Sequence, residues 1–397
     1  MKAYYYYHPE SDSLFSSDSG TLHGEGDGLL EQVTKKYAMK LKEKLGLDDI
    51  EHIQVNTPIA IWMTDPHLSV STIDLNISIY KQVFDIAENN GVNIIYLGGD
   101  IFESRNAQPE SVLNVFAAIL KEAQSRRIII RAIPGNHDKT SYVDQSSFLD
   151  VYEPYQSFEL VRDFAYYDYD HLRIHLVPYF DEKLAYEEYL NKCISNIDLV
   201  KKNILLTHIG IDGVLNNGKD VVETELNSKV FSKFDHVYIG HFHDRQHIPP
   251  NIFYTGSCYQ ANFGEDDSKG CGLLNSSGKM EYLALDFPKY VTKKIDGELT
   301  LEDVRLINEE KKNSNCNMKI QLVGDKKNVS QESISMLRNE GIKVENKQEE
   351  EVLDGDQSSF QGTFKAGHIK ESFEEWVKEK KGLVNVKYGR EKINNIL

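Results

Sequence analysis

Four cysteines in 397 residues, Cys193, Cys258, Cys271 and Cys316, with no C-x-x-C spacing, exclude a dense disulfide framework. A reducing, cytoplasmic setting is the expectation. No run reaches the roughly 18 apolar residues of a membrane span, and the opening "MKAYYYYHPESDS" has no apolar core of an export signal; neither membrane nor secretion is expected. Positive charge is also scarce. Lys and Arg number 45 against 62 Asp and Glu, a formal charge of −17, which argues against broad adhesion to nucleic acid or anionic lipid but leaves a local basic patch open. What is present is globular: 40% hydrophobic and 27% charged residues, in a chain long enough for two or three domains.

From residue 57 short β-rich runs alternate with amphipathic stretches: "IAIWMTD", a helix, "VNIIYLGGD", a helix, "RIIIRAIPGNHD". That is the signature of βαβ units. Further strands are expected at "LRIHLVPYF", "NILLTHIGI", "HVYIGHFHD", "IFYTGSCYQ", "CGLLNS" and "MEYLALDF", with a helix near 183–196. The fold class is therefore α/β: two mixed β-sheets packed as a sandwich flanked by helices over residues 57–287. Residues 1–56 read as an N-terminal appendage, a strand or hairpin plus a helix from Leu29 to Leu45. Residues 288–350 read as a small α/β domain. There Thr300 caps a helix with Asp303 behind it, and a second helix runs from an Asn328 cap with Gln331 to Gly341. Residues 351–397 read as an acidic linker and a helix with Ile369, Phe373, Trp376 and Val377 on one face.

Ionisable residues recur at or just after the carboxyl ends of the central strands. "TDPHL" places Asp65 and His67 there, "GGD" Asp100, "GNHDK" Asn136, His137 and Asp138, "LLTHIG" His208, and "GHFHD" His241 and His243. Alone, the last pair reads equally well as two core histidines, since residues two apart on a strand share a face. Ligands of open α/β folds bind beyond the carboxyl ends of strands, so the five clusters are expected to converge. Carboxylate, imidazole and amide oxygen together suit divalent transition metals, and a pair of such cations is a known device for activating water against a phosphate. His175 and His236 read as structural.

In this order the clusters resemble the calcineurin-like metallophosphoesterases, whose pattern is D-x-H, G-D, G-N-H-D/E, H and G-H-x-H. The resemblance implies Asp65, His67 and His243 as ligands of one metal, Asn136, His208 and His241 as ligands of the other, and Asp100 as the bridge. It also implies His137 as a proton donor or charge stabiliser at the phosphate, with Asp138 orienting its ring.

"GDIFESRNA" and "YTGSCYQANFGEDDSKG" resemble segments of SbcD-type exonuclease subunits and of the related meiotic-recombination nuclease. This implies a Mn²⁺-dependent DNA exonuclease and endonuclease for repair or recombination. Its partners would be DNA and an SbcC-type coiled-coil ATPase, with a homodimer inside a heterotetramer. The small domain would cap DNA and the last helix would dock the ATPase. A bacteriophage-encoded member acting in the host cytoplasm would suit so compact a chain. Arg105, Lys139, Arg245 and Lys269, in loops beside the motifs, are the candidate DNA contacts. Two departures stand out: residues 1–56 precede the first motif, and Glu103 stands where some relatives have a histidine that touches DNA. A small-molecule or protein phosphoesterase of the same superfamily is the alternative.

Overall fold

Two periodicities, of 2 and 3.6 residues, decide which segments of this chain become strands and which become helices. The computed structural model describes residues 4–8, 13–17, 31–33, 35–47, 51–53, 57–181, 185–216, 220–296, 299–323 and 330–347. Residues 1–347 form one compact unit; 348–397, with the expected linker and partner-binding helix, lie outside the described residues. In chain order the elements are β1 (Tyr4–His8), β2 (Ser13–Ser17), β3 (Glu31–Val33), α1 (Lys35–Leu45), β4 (Glu51–Ile53), β5 (Pro58–Met63), α2 (Ile73–Asn89), β6 (Ile94–Leu97), α3 (Glu110–Ser125), β7 (Ile129–Ala132), β8 (Phe158–Leu160), β9 (Ala165–Asp168) and β10 (Leu172–Val177). There follow α4 (Glu187–Ser195), β11 (Lys202–His208), β12 (Leu215–Asn216), β13 (Asp220–Val221), β14 (His236–Gly240), β15 (Gln246–Ile248), β16 (Ile252–Tyr254), β17 (Gly270–Asn275), β18 (Met280–Ala284), β19 (Lys289–Asp296), α5 (Leu301–Asn313), β20 (Cys316–Val323), α6 (Gln331–Asn339) and β21 (Lys343–Lys347).

Two six-stranded mixed sheets make the centre. One has the order β18-β17-β5-β6-β7-β8 and the other β15-β16-β14-β11-β10-β9. Alternation sends Ala60, Trp62 and Tyr96 of the first sheet, and Ile174, Leu176, Ile204, Leu206 and Tyr238 of the second, into one shared apolar layer. The odd-and-even complement goes outward: Ile61, Met63, Ile95 and Leu97 meet α2 and α3, while Leu205, Val237 and Ile239 meet α4. Strands buried on both faces must be apolar throughout, which is why "IAIWM" and "IIYL" look like unbroken hydrophobic runs. Residues Ile79, Tyr80, Val83, Phe84 and Ala87 give α2 its buried stripe. Trp62, 1% exposed, is the largest side chain in the shared layer, and its indole N–H donates to Thr255 Oγ1 at 2.8 Å. Truncating such a residue to alanine costs about 3–5 kcal/mol.

The edges depart from the sequence reading. Strands β8 and β9, which no clear sequence pattern announces, extend each sheet by one strand; both are short and only partly buried, so their alternation is weak. The appendage is a four-stranded sheet, β3-β1-β2-β4, with α1 starting at Lys35 rather than at Leu29. The small domain gains a strand the sequence reading missed: β19 pairs in parallel with β20, which pairs with β21. Thr300 caps α5 as expected, accepting from Asp303 N at 3.2 Å. Ser330 caps α6, accepting from Ser333 N at 3.0 Å; the expected cap, Asn328, lies outside the described residues. Gln260 ties this sheet to the centre by accepting from Tyr290 N at 2.7 Å.

Candidate metal centre

Four of the five clusters fall in the turns after β5, β6, β7 and β14, and His208 is the last residue of β11, all at one edge of the sandwich. The turns are tight. Among the described residues five non-glycines have positive φ, and four of them are Asp65 (54°), His67 (43°), Asp100 (51°) and His241 (88°). Such conformations cost about 1–3 kcal/mol each and persist only where the surroundings impose them. Here main-chain bonds impose them: Asp65 N donates to Gly99 O at 3.1 Å, His67 N to Asp100 O at 3.1 Å and Leu68 N to Ile101 O at 2.8 Å. Close approach also demands glycine. A Cβ on Gly135 would lie 2.2 Å from Asp100 Oδ1, and one on Gly240 would lie 2.2 Å from Thr64 Oγ1.

The side chains meet in two adjoining groups. In the first, Nε2 of His67 and of His243 are 3.0 Å apart, and they lie 3.9 and 4.0 Å from Asp65 Oδ1. In the second, Asn136 Oδ1 is 3.2 Å from His208 Nε2 and 2.9 Å from His241 Nδ1. Asp100 stands between them, its Oδ2 3.3 Å from His208 Nε2 and 3.9 Å from His67 Nε2. Asp65, His67 and His243 could together hold a metal ion, and so could Asp100, His208 and His241. His241 and His243 therefore face different groups, and they do so from the turn beyond β14, not from the strand itself.

The donor set fits divalent cations. His67 Nδ1 is 2.8 Å from Glu103 Oε2, and His243 Nδ1 is 2.9 Å from Glu265 Oε1; His208 Nδ1 reaches Gly98 O at 2.7 Å. Nδ1 of each ring thus faces an oxygen, and Nε2 is turned inward. Lone pairs opposed at 3.0 Å need a cation or a proton between them. With neither, the Asn136 amide is best satisfied with its nitrogen inward and its oxygen accepting from Arg105 at 2.8 Å; facing a cation, it must turn its oxygen in.

Electrostatics agree. Burial alone would lower the His67 pKa, but the Glu103 bond and the charges of Asp100 and Asp65 outweigh it and lift the ring to about 9. His208 is likewise raised to about 9, burial being overcome by Asp100. Burial, and then His208, push His241 down to about 4. Asp100 is held well below the usual range, because His208, His67 and His137 overcome its burial.

His137 sits on the rim. Its Nδ1 is 2.6 Å from Glu103 O, so its Nε2 accepts from the Arg105 guanidinium at 2.8 Å and lies 4.0 Å from Asp100 Oδ2. Asp138 does not orient that ring. Its carboxylate accepts from the main-chain N–H groups of Gly135 (2.8 Å), Phe102 (3.0 Å) and Ile101 (3.2 Å), stapling two of the turns together.

Two of the four expected DNA contacts are buried. Lys139 donates to Tyr179 O at 2.9 Å, with its Nζ 3.6 Å from the Phe180 ring centre. Lys269 donates to Asp244 Oδ1 at 2.8 Å and lies 3.6 Å from Glu265 Oε2. Both side chains turn inward because apolar and carboxylate partners wait there. Arg245 is half-buried against Tyr282, 4.5 Å from its ring centre, whereas Arg105 is exposed. Glu265, Glu103 and Tyr259 are supports that the motifs alone do not reveal. Tyr259 OH donates to Pro66 O at 2.6 Å, holding the Asp65–His67 turn from below. The only sequence signal for Glu265 and Tyr259 is the long 254–270 segment that contains them.

The model of the calcineurin-like phosphoesterase family matches residues 60–245. The chain is 20% identical over 254 residues to Putative phosphoesterase 078R of Invertebrate iridescent virus 3, covering 62% of this chain and 71% of that protein. It is 25% identical over 218 residues to Putative phosphoesterase 244L of Invertebrate iridescent virus 6, covering 54% and 74%. It is 26% identical over 213 residues to the SbcD component of the nuclease SbcCD of Staphylococcus epidermidis, covering 47% of this chain and 56% of that one. Residues 60–245 are thus a calcineurin-like metallophosphoesterase domain, of a hydrolase family that binds divalent metal ions, and they carry side-chain groups that could hold such ions.

Proposed function

We propose that the chain is the nuclease component of a DNA-processing complex. It would hydrolyse phosphodiester bonds with two divalent cations, Mn²⁺ foremost, beside an SbcC-type coiled-coil ATPase, as a homodimer within a heterotetramer. Asp65, His67 and His243 would hold one cation, Asn136, His208 and His241 the other, and Asp100 would touch both. Bound there, the cations would polarise a phosphoryl oxygen and lower the pKa of a water.

The protein's own groups supply the rest. Arg105, exposed beside His137, is placed to hold a phosphate oxygen; His137, its Nδ1–H fixed on Glu103 O, would take a proton on Nε2 and pass it to the leaving oxygen. A cleft of about 610 Å³ runs from His67 and Glu103 to Tyr290 and Asn317 of the small sheet. The strand being cut would lie in it, with the small domain as its cap.

The observation that carries the nuclease reading is the 254–270 segment. It resembles that of SbcD-type nucleases, and it supplies Glu265 behind His243 and Tyr259 beneath the Asp65 turn. Likeness to the SbcD component of the staphylococcal nuclease supports the same reading. Incubation of the full chain with Mn²⁺ and end-labelled duplex should give cleavage that chelation abolishes and that His137→Ala removes while metal content stays. No cleavage with the ATPase partner present would overturn it.

A small-molecule or protein phosphoesterase is the second reading. It is compatible with the likeness to two putative phosphoesterases of iridescent viruses and is favoured by the burial of Lys139 and Lys269, which thins the basic surface near the centre. Nucleotides hydrolysed far faster than DNA would decide for it.

A further inference from the structure

We propose that Glu103 is a positioning residue that sets two histidines at once, and that its carboxylate governs how tightly the Asp65, His67 and His243 group holds its cation. This rests on reading the clusters as a metal centre and is independent of which phosphoester is cut.

Glu103 follows β6 in the turn that carries Asp100. Its Oε2 lies 2.8 Å from His67 Nδ1, and its main-chain oxygen lies 2.6 Å from His137 Nδ1. The two imidazoles meet edge to face with ring centres 4.8 Å apart. One residue thus anchors a ligand of the centre through its side chain and the rim histidine through its backbone.

The side-chain anchor has a definite effect. With the Glu103 carboxylate 2.8 Å from its Nδ1, His67 keeps Nε2 turned inward, toward His243 Nε2 and Asp65. Without that acceptor the ring is free to turn about its last torsion, which is broad for an imidazole, and its nitrogen is a weaker donor to a cation. Supporting carboxylates of this kind are typically worth about 10–100-fold in metal affinity. The two groups are also unequal: His67 and His243 are each backed by a carboxylate, whereas His208 leans on the neutral Gly98 carbonyl. Glu265 is buried, so removing it would disturb the Lys269 cluster. The Glu103 side chain is 56% exposed, so removing it strands no buried charge.

Calorimetric titration of the metal-free full-length protein with Mn²⁺ tests this without any substrate. Glu103→Ala should weaken one of two binding events by about 10–100-fold and leave the other. Glu103→Gln, whose amide oxygen can still accept the Nδ1–H, should restore most of it. Nitrogen-15 imidazole spectra should show His67 changing tautomer in E103A but not in E103Q, with His137 unchanged because its acceptor is main chain. Wild-type binding of both cations by E103A, or E103Q as weak as E103A, would overturn the assignment. A protein that binds metal as described yet cuts no phosphoester would overturn the nuclease reading and leave this one standing.

Discussion

His67 and His243 lie 176 residues apart in sequence, yet their Nε2 atoms face each other at 3.0 Å, each ring backed by a carboxylate. Two lone pairs so placed repel unless something positive sits between them. In the metal-free protein that role falls to protons.

Proton linkage follows. His67 and His208 are each held up to about 9 against about 6.5 for an unfolded imidazole. Their pairing therefore stabilises the metal-free fold fully below pH ~6.5, and the contribution is lost as pH rises through about 9. A cation needs both rings neutral, so its affinity should rise over the same interval. Calorimetry near pH ~7.5 in buffers of different ionisation heat should show proton release on metal binding. The melting temperature of metal-free protein should fall from pH ~6.5 to ~9.5, more steeply than that of the loaded form.

Asp138 tests the staple. Replacing it with alanine leaves the buried N–H groups of Gly135, Ile101 and Phe102 without their acceptor, at about 1–3 kcal/mol each in the worst case. A loss of roughly 3 kcal/mol or more in chemical denaturation is expected. The same stability as wild type would show that the turns hold without it.

Arg105 and Lys269 should behave oppositely. Lys269→Ala breaks a buried cluster with Asp244 and Glu265 and should cost about 3–5 kcal/mol. Arg105→Ala, at an exposed site, should change stability by no more than about 0.5 kcal/mol while weakening DNA binding and reducing its salt slope by about one. Binding loss in a folded Lys269 variant with the same slope change would restore Lys269 as a DNA contact.

The central strands were legible because burial on both faces leaves no room for polar residues: "IAIWM" could be little else. The weaker edge strands β8, β9 and β19 were not, since exposed positions relax the pattern. The clusters were legible for a related reason. Asp65, Asp100 and Asn136 occupy turns after apolar runs, where ligand groups are gathered. The supports were not, because nothing in "GEDDSKG" says that Glu265 and Lys269 turn inward while Asp266 stays half-exposed. Direction of a side chain in a loop is decided by partners distant in sequence, as with Asp138, whose neighbours are Ile101 and Phe102 rather than the adjacent His137.

Metal stoichiometry bears on all of this at once. Full-length protein dialysed against Mn²⁺ and freed of excess should carry two cations per chain, and His243→Ala and His208→Ala should each retain one. Wild-type protein with fewer than two, or variants that keep both, would mean that Asp100 does not stand between two cation positions.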